Sequence, residues 1–248
     1  MNLWKLEWIR LVRTKRWIAL LGVYVFFGLV GPLSARYLGE IVEQFGGGIE
    51  VTIPPAVPAD GMAQFVSNAS QLGLLVVVVV AAGSLAFDAK PEMGVFLRTR
   101  VDRVWDILVP RLTVSFLAAA VAFVLGALAA WYETAVLLGG LPVFGTIAGI
   151  GYGVLYLALV VAVVTAAASR AENVLGVVLI TVVVLLAMPI IGIIGSVGRW
   201  LPAHLVGALS GIPGGTAVGD YLPAAGVTLA LTGLCIWLAV RWSQLREL

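Results

Sequence analysis

The sequence predicts an all-α protein that crosses a membrane six times, and three observations predict it. Apolar residues make up 61% of the 248 positions and charged residues only 11%, too little polar material to clothe a soluble domain of this length. The apolar residues gather into runs of about 20, the helix length that crosses about 30 Å of hydrocarbon. Runs such as Leu74 to Val80 are continuous, whereas the strands of a transmembrane barrel alternate in polarity over about ten residues.

Taken in chain order, residues 2–16 combine two Trp with five Lys and Arg. At 100° per residue Trp4, Trp8, Leu11 and Val12 share one side and Arg10 and Arg13 lie roughly opposite, with Leu6 and Ile9 outside the stripe. The segment reads as an amphipathic helix in the membrane interface, or as a plain basic flank of the first span. That span is 17–35, ending near Pro32. It lacks the small-residue pair of a cleavage site and reads as an uncleaved anchor. An outer loop follows, in which Gly46-Gly47-Gly48 and Pro54-Pro55 argue against one long helix.

The second span is 64–87. Its Asn68-Ala69-Ser70 triplet is formally a glycosylation sequon but lies inside the span. Residues 88–111 form the most polar loop of the chain. The third span is 112–131 and the fourth 144–168. Gly145, Gly149 and Gly153 open the fourth span at every fourth position, which places them on one face where another backbone can approach closely. A tight turn, Ser169 to Asn173, leads to the fifth span at 174–194, which Pro189 should bend or interrupt. A Pro- and Gly-rich segment, 195–221, precedes the sixth span at 222–240. No internal repeat divides the chain, so 1–248 reads as a single membrane domain.

The charges orient this layout. Of the 15 Lys and Arg, only Arg36 and Arg199 fall on one side of the six-pass topology. The positive-inside rule then places both termini and the 88–111 loop in the cytoplasm, at the cell membrane.

Several function classes are excluded or left unsupported. The middle parts of all six spans hold no Asp, Glu, Lys, Arg or His. A carrier coupled to protons or sodium normally needs such a group near the midplane. A single His, His204, rules out a His-Glu-x-x-His zinc site, and no Gly-x-x-x-x-Gly-Lys-Ser/Thr loop is present to bind ATP. Cys235 is alone in an apolar run, so there is no disulfide framework. The chain reads as a non-enzyme with no catalytic residue, no metal and no cofactor of its own. Nothing in it suggests nucleic acid; membrane lipids are its surroundings. Energised work would need a partner.

Where would that partner bind? In the inner loop, Pro91 and Gly94 make a turn and a helix of about Val95 to Val109 can follow, with Arg98 and Asp102 spaced to pair. Phe96 and Leu97 are apolar residues rimmed by charge, a reasonable docking knob for a soluble protein. They fit a solvated linker with a membrane-facing side equally well.

Together these features resemble the permease subunits of type-two ATP-binding-cassette (ABC) exporters. The resemblance spans the whole chain and rests on the basic helix Leu3 to Arg16, the six spans and both ends inside. It rests also on Asp88 at the inner end of the second span, the turn at Gly94, the stretch Phe96 to Arg103, and Arg111 after Pro110. The segment Gly195 to Tyr221, with Trp200-Leu-Pro202 and Ile212-Pro-Gly-Gly215, is similar to that family's re-entrant outer hairpin. The family more often carries Glu and then Gly-Thr in the inner loop, where this chain has Asp88 and Gly94-Val95. The resemblance implies a permease that pairs with itself or a homologous permease and binds two ABC ATPase subunits. Those subunits would hold the ATP and Mg. Their contact would be the coupling loop, through Asp88, Lys90, Glu92, Gly94, Phe96, Leu97, Arg98 and Arg100. The cargo would be a lipid, drug or other amphipathic molecule. A different class, a non-transporting membrane anchor or assembly factor for a cytoplasmic protein, fits the same polar loop.

Overall fold

A computed structural model describes residues 3–45, 55–85, 104–171, 173–193 and 195–245. Among them are helices and turns and no strand. The chain begins with a short helix, α1 (Leu3–Arg13), and turns sharply at Thr14-Lys15 into α2 (Arg16–Phe45). Lys15 takes a positive φ of 55° there, a conformation that lets the chain change direction in two residues. Next come α3 (Pro58–Asn68), one π turn (Ala69–Gly73) and α4 (Leu74–Leu85), which together make one continuous rod. Then follow α5 (Val104–Leu137), α6 (Val143–Ala168) and α7 (Val174–Gly192). Two 3-10 turns (Gly195–Trp200 and Pro202–Gly207), a single α turn, α8 (Ala208–Gly211), and a further 3-10 turn (Val218–Tyr221) lead to α9 (Leu222–Leu245). Six of these rods are long and apolar enough to cross a membrane. The chain is a multi-pass helical membrane protein.

Local chemistry sets several helix starts. Pro58 opens α3, where its missing N–H costs nothing, and Asp60 Oδ2 accepts the Val57 N–H at 2.9 Å. Asn173 Oδ1 accepts the Gly176 N–H at 2.7 Å and so caps α7. The π turn places Gly73 against the ring of Tyr24 on α2; a β-carbon there would lie 2.8 Å from Tyr24 Cε1. The aromatic ring occupies the space that a larger residue at position 73 would need.

At the centre stands α6. From Tyr156 to Ala167 all but one of its residues are buried, the mark of a helix surrounded on every side. It packs against α4, α5, α7 and α9. On one flank α2 lies along α5, and the two backbones meet at Gly28 and Gly126; a β-carbon on Gly126 would sit 2.6 Å from the Tyr24 carbonyl oxygen. Tyr24 also meets Phe123 edge-on, centroids 5.7 Å apart. By contrast α7 is thinly held, with only Val177 and Thr181 buried.

The prolines behave differently from the sequence expectation. Helix α2 passes through Pro32 and runs on to Phe45, ten residues beyond the predicted end of the span at 35. Pro110 is buried inside α5, so Val104 to Val109 is continuous with the third span and not part of a separate coupling helix. Pro189 sits in α7 three residues before its end at Gly192 and does not interrupt it. A proline forfeits one backbone hydrogen bond and crowds the carbonyl four residues earlier. In a membrane bundle that defect is absorbed by neighbouring helices, because leaving the helix would free far more backbone groups. The second rod starts at Pro58, before the predicted 64, and the sixth continues to Leu245, beyond the predicted 240.

Candidate functional site at the α1 end

The residues singled out on the inner loop, Asp88, Lys90, Glu92, Gly94, Phe96, Leu97, Arg98 and Arg100, lie outside the described residues. What the structure does describe is the base from which that loop leaves and to which it returns: the end of α4 at Leu85 and the start of α5 at Val104. Charged side chains converge there.

Helix α1 turns a polar ridge toward the protein. Glu7 is only 5% exposed, with Leu3, Arg10 and Leu11 partly buried beside it. Trp4, Trp8 and Val12 face outward, and so do Leu6 and Ile9. The apolar stripe that looked imperfect in the sequence is therefore an apolar surface flanking a buried ridge. The carboxylate of Glu7 receives a hydrogen bond from Arg111 Nε at 3.3 Å, and Arg111 is itself 5% exposed. Glu7 also pairs with Arg10 at 3.5 Å, one turn along α1.

Arg10 reaches a second element. Its guanidinium donates to the carbonyls of Gly83 and Ser84, both at 3.4 Å, at the C-terminal end of α4. A carbonyl oxygen is a negative partner that suits a guanidinium. Arg16 lies close by: a β-carbon on Gly83 would be 3.1 Å from its Nη2. Burial lowers the Arg10 pKa from its ordinary value, Glu7 raises it, and the charges of Arg111 and Arg16 lower it further. Among the described residues Glu7 thus faces both Arg10 and Arg111, and the carbonyls of Gly83 and Ser84 add negative potential beside Arg10. Ser84 Oγ and Ser115 Oγ, 3.0 Å apart, join α4 directly to α5.

The result is a joint. Through Glu7 and Arg10, α1 holds α5 and α4 together, and these are the elements that flank the 86–103 segment. Sequence reasoning placed Arg111 at the re-entry into the third span but gave Glu7 no partner. The available signal was slight: Glu7 is the one acid among the five bases of residues 2–16.

The glycines of the fourth span lie at the opposite end of the bundle. A β-carbon on Gly149 would sit 2.6 Å from Leu209 Cα and 3.0 Å from the Ala208 carbonyl, and one on Gly145 would meet Ile212 Cγ2 at 3.2 Å. These two glycines therefore seat α8 and the residue after it. Gly153 instead faces the ring of Phe123 on α5. Around this seat Pro202, Leu205, Ala208, Leu209 and Ile212 are buried. The ring of His204 stacks on Tyr221 at 4.7 Å, and Tyr152 Oη donates to the Val218 carbonyl at 3.0 Å. Among the described residues no three His, Cys, Asp or Glu side chains converge to hold a metal.

Compared with protein-family models, curated proteins and solved structures, the chain matches none.

Proposed function

We propose that this chain is the membrane-spanning permease subunit of an ATP-driven exporter of the ABC class. It works as a pair with itself or a homologous permease. Its cargo is a lipid, drug or other amphipathic molecule, and separate cytoplasmic ATPase subunits hold ATP and Mg. Both termini and the 88–111 loop lie in the cytoplasm, α1 rests in the membrane interface, and 195–221 is a re-entrant outer hairpin. The observation that carries this reading is the joint made by Glu7, Arg10 and Arg111.

A loop that merely linked two spans would need no brace. Here a separate helix is bound by buried charge to the elements on both sides of the loop. A push on residues 86–103 would then move α1, α4 and α5 as one unit. The sequence supports the rest. The middle parts of the spans hold no Asp, Glu, Lys, Arg or His, so the driving force must come from a partner. The loop offers Asp88, Lys90, Glu92, Arg98 and Arg100 to orient that partner, the turn at Gly94 to present the segment, and Phe96 and Leu97 to anchor it.

The test is reconstitution of the chain with the ATPase that co-purifies with it in mild detergent. Arg98→Glu combined with Phe96→Ala should leave membrane insertion intact and abolish the stimulated part of ATP hydrolysis. Undiminished stimulation, or the absence of any co-purifying ATPase, overturns the proposal.

A further inference from the structure

One face of the second rod does not suit lipid. Along α3, the π turn and α4, the exposed positions form a single stripe: Asp60, Ala63, Gln64, Ser67, Gln71, then Leu72, Leu75 and Val79. The half nearer Pro58 is polar and the half nearer Leu85 is apolar. The rod has 28 residues from Pro58 to Leu85, about 42 Å at 1.5 Å per residue, and Gln71 stands at its midpoint. Measured from the other end, Gln71 lies about 20 Å from Ser84, which Arg10 grips at the α1 end. On either measure Ser67 and Gln71 fall within a hydrocarbon layer about 30 Å thick.

These polar groups have little to bond inside the chain. Among the described residues Gln71 Nε2 reaches Ser67 Oγ alone, at 3.5 Å. Gln64 and Asn68 make no side-chain hydrogen bond among the described residues. Exposed amides at this depth need a polar partner, since lipid tails offer none. The stripe also carries two small residues four positions apart, Ala63 and Ser67, the step that lets two helix backbones come close in a membrane. An amide both donates and accepts, so a row of Gln and Ser is complementary to a copy of itself. A two-fold axis brings the same patch of two subunits face to face.

We infer that this stripe is the seam between two copies of the chain, in which Ser67 and Gln71 meet their own counterparts across a two-fold axis. The inference rests on the pairing proposed above and names the surface that makes it. The π turn at Ala69–Gly73 belongs to the same device. Within it Gln71 is exposed four residues after Ser67 while Ala69 and Gly73 stay buried against the protein, and π turns often mark functional positions.

Disulfide trapping in native membranes tests this directly. In a Cys235→Ser background, single cysteines replace Ser67, Gln71, Val183 on α7 and Leu229 on α9; the last two are well exposed on other faces. Mild oxidation should double the apparent mass of Ser67→Cys and Gln71→Cys and leave Val183→Cys and Leu229→Cys monomeric. Separately, Gln71→Leu should weaken self-association in detergent by about 3- to 30-fold, the worth of one or two membrane hydrogen bonds. A dimer trapped only at Val183 or Leu229 overturns the seam and leaves the pairing standing. A chain that is monomeric by native mass spectrometry and trapped at no position overturns both. Cross-linking of position 67 or 71 to a different protein, or labelling of those cysteines by a water-soluble thiol reagent without any cross-link, also overturns the seam.

Discussion

At the α1 end the helices are joined by charge: Glu7 binds Arg111 at 3.3 Å, and Arg10 donates to the Gly83 and Ser84 carbonyls of α4 at 3.4 Å. At the far end α8 rests on Gly145 and Gly149 by shape alone, with Leu209 and Ile212 in van der Waals contact where side chains are missing. The two kinds of contact fail differently. A buried ion pair is strong only while complete, because losing one partner strands the other charge in a low dielectric. A glycine seat is indifferent to charge and intolerant of volume. The α1 end is thus suited to moving as a connected unit, and the far end to acting as a fixed wall.

The largest expected effect breaks the ionic side of this contrast. Arg111→Ala removes the buried one of the two cations that meet Glu7 and should lower stability by about 3 kcal/mol, the low end for a broken buried pair because Arg10 stays 3.5 Å away. The double substitution Glu7→Leu with Arg111→Met should recover most of that loss, since a well-packed apolar pair often replaces a buried ion pair at little net cost. Thermal unfolding in detergent reads both. Equal losses in the single and double variants would show that packing, not charge, holds α1.

A smaller effect breaks the other side. Gly149→Val drives a side chain into Leu209 and should cost about 1–3 kcal/mol. Proteolysis within 195–221 should accelerate while the α1 end stays intact. Gly151→Val, where a β-carbon meets nothing within 4 Å, should leave both unchanged. The smallest effect sharpens the comparison: Arg10→Gln removes the cation that donates to the Gly83 and Ser84 carbonyls and should cost about 1 kcal/mol. Raised salt should not mimic it, because the half-buried group is only weakly screened.

The six spans were legible because a membrane crossing demands an unbroken apolar run, and nothing else in this chain produces one. Their ends were not. Pro32 and Pro110 look like stops by the rules of soluble helices, yet α2 and α5 continue through them, since in this solvent an interrupted helix costs more than a crowded proline. The close approach at Gly145 and Gly149 could be read from their spacing as a property of one helix face, but the identity of the visitor, α8, lay some 60 residues downstream. Gly28 and Gly126 carried no such signal: Gly28 stands between Gly22 and Gly31 at irregular spacing, and Gly126 is the single glycine of the third span. The ion pair was hidden for the same reason: its partners are 104 positions apart, and no local pattern links a helix before the first span to the start of the third.

That separation also sets an order of construction. Arg111 leaves the ribosome about 5–20 s after Glu7 at ordinary rates of synthesis. Until then the Glu7 carboxylate lacks its buried partner and must stay hydrated at the bilayer surface. Helix α1 therefore completes its docking only after the second rod has been made, and its arrival reports that two crossings have been threaded in the right sense.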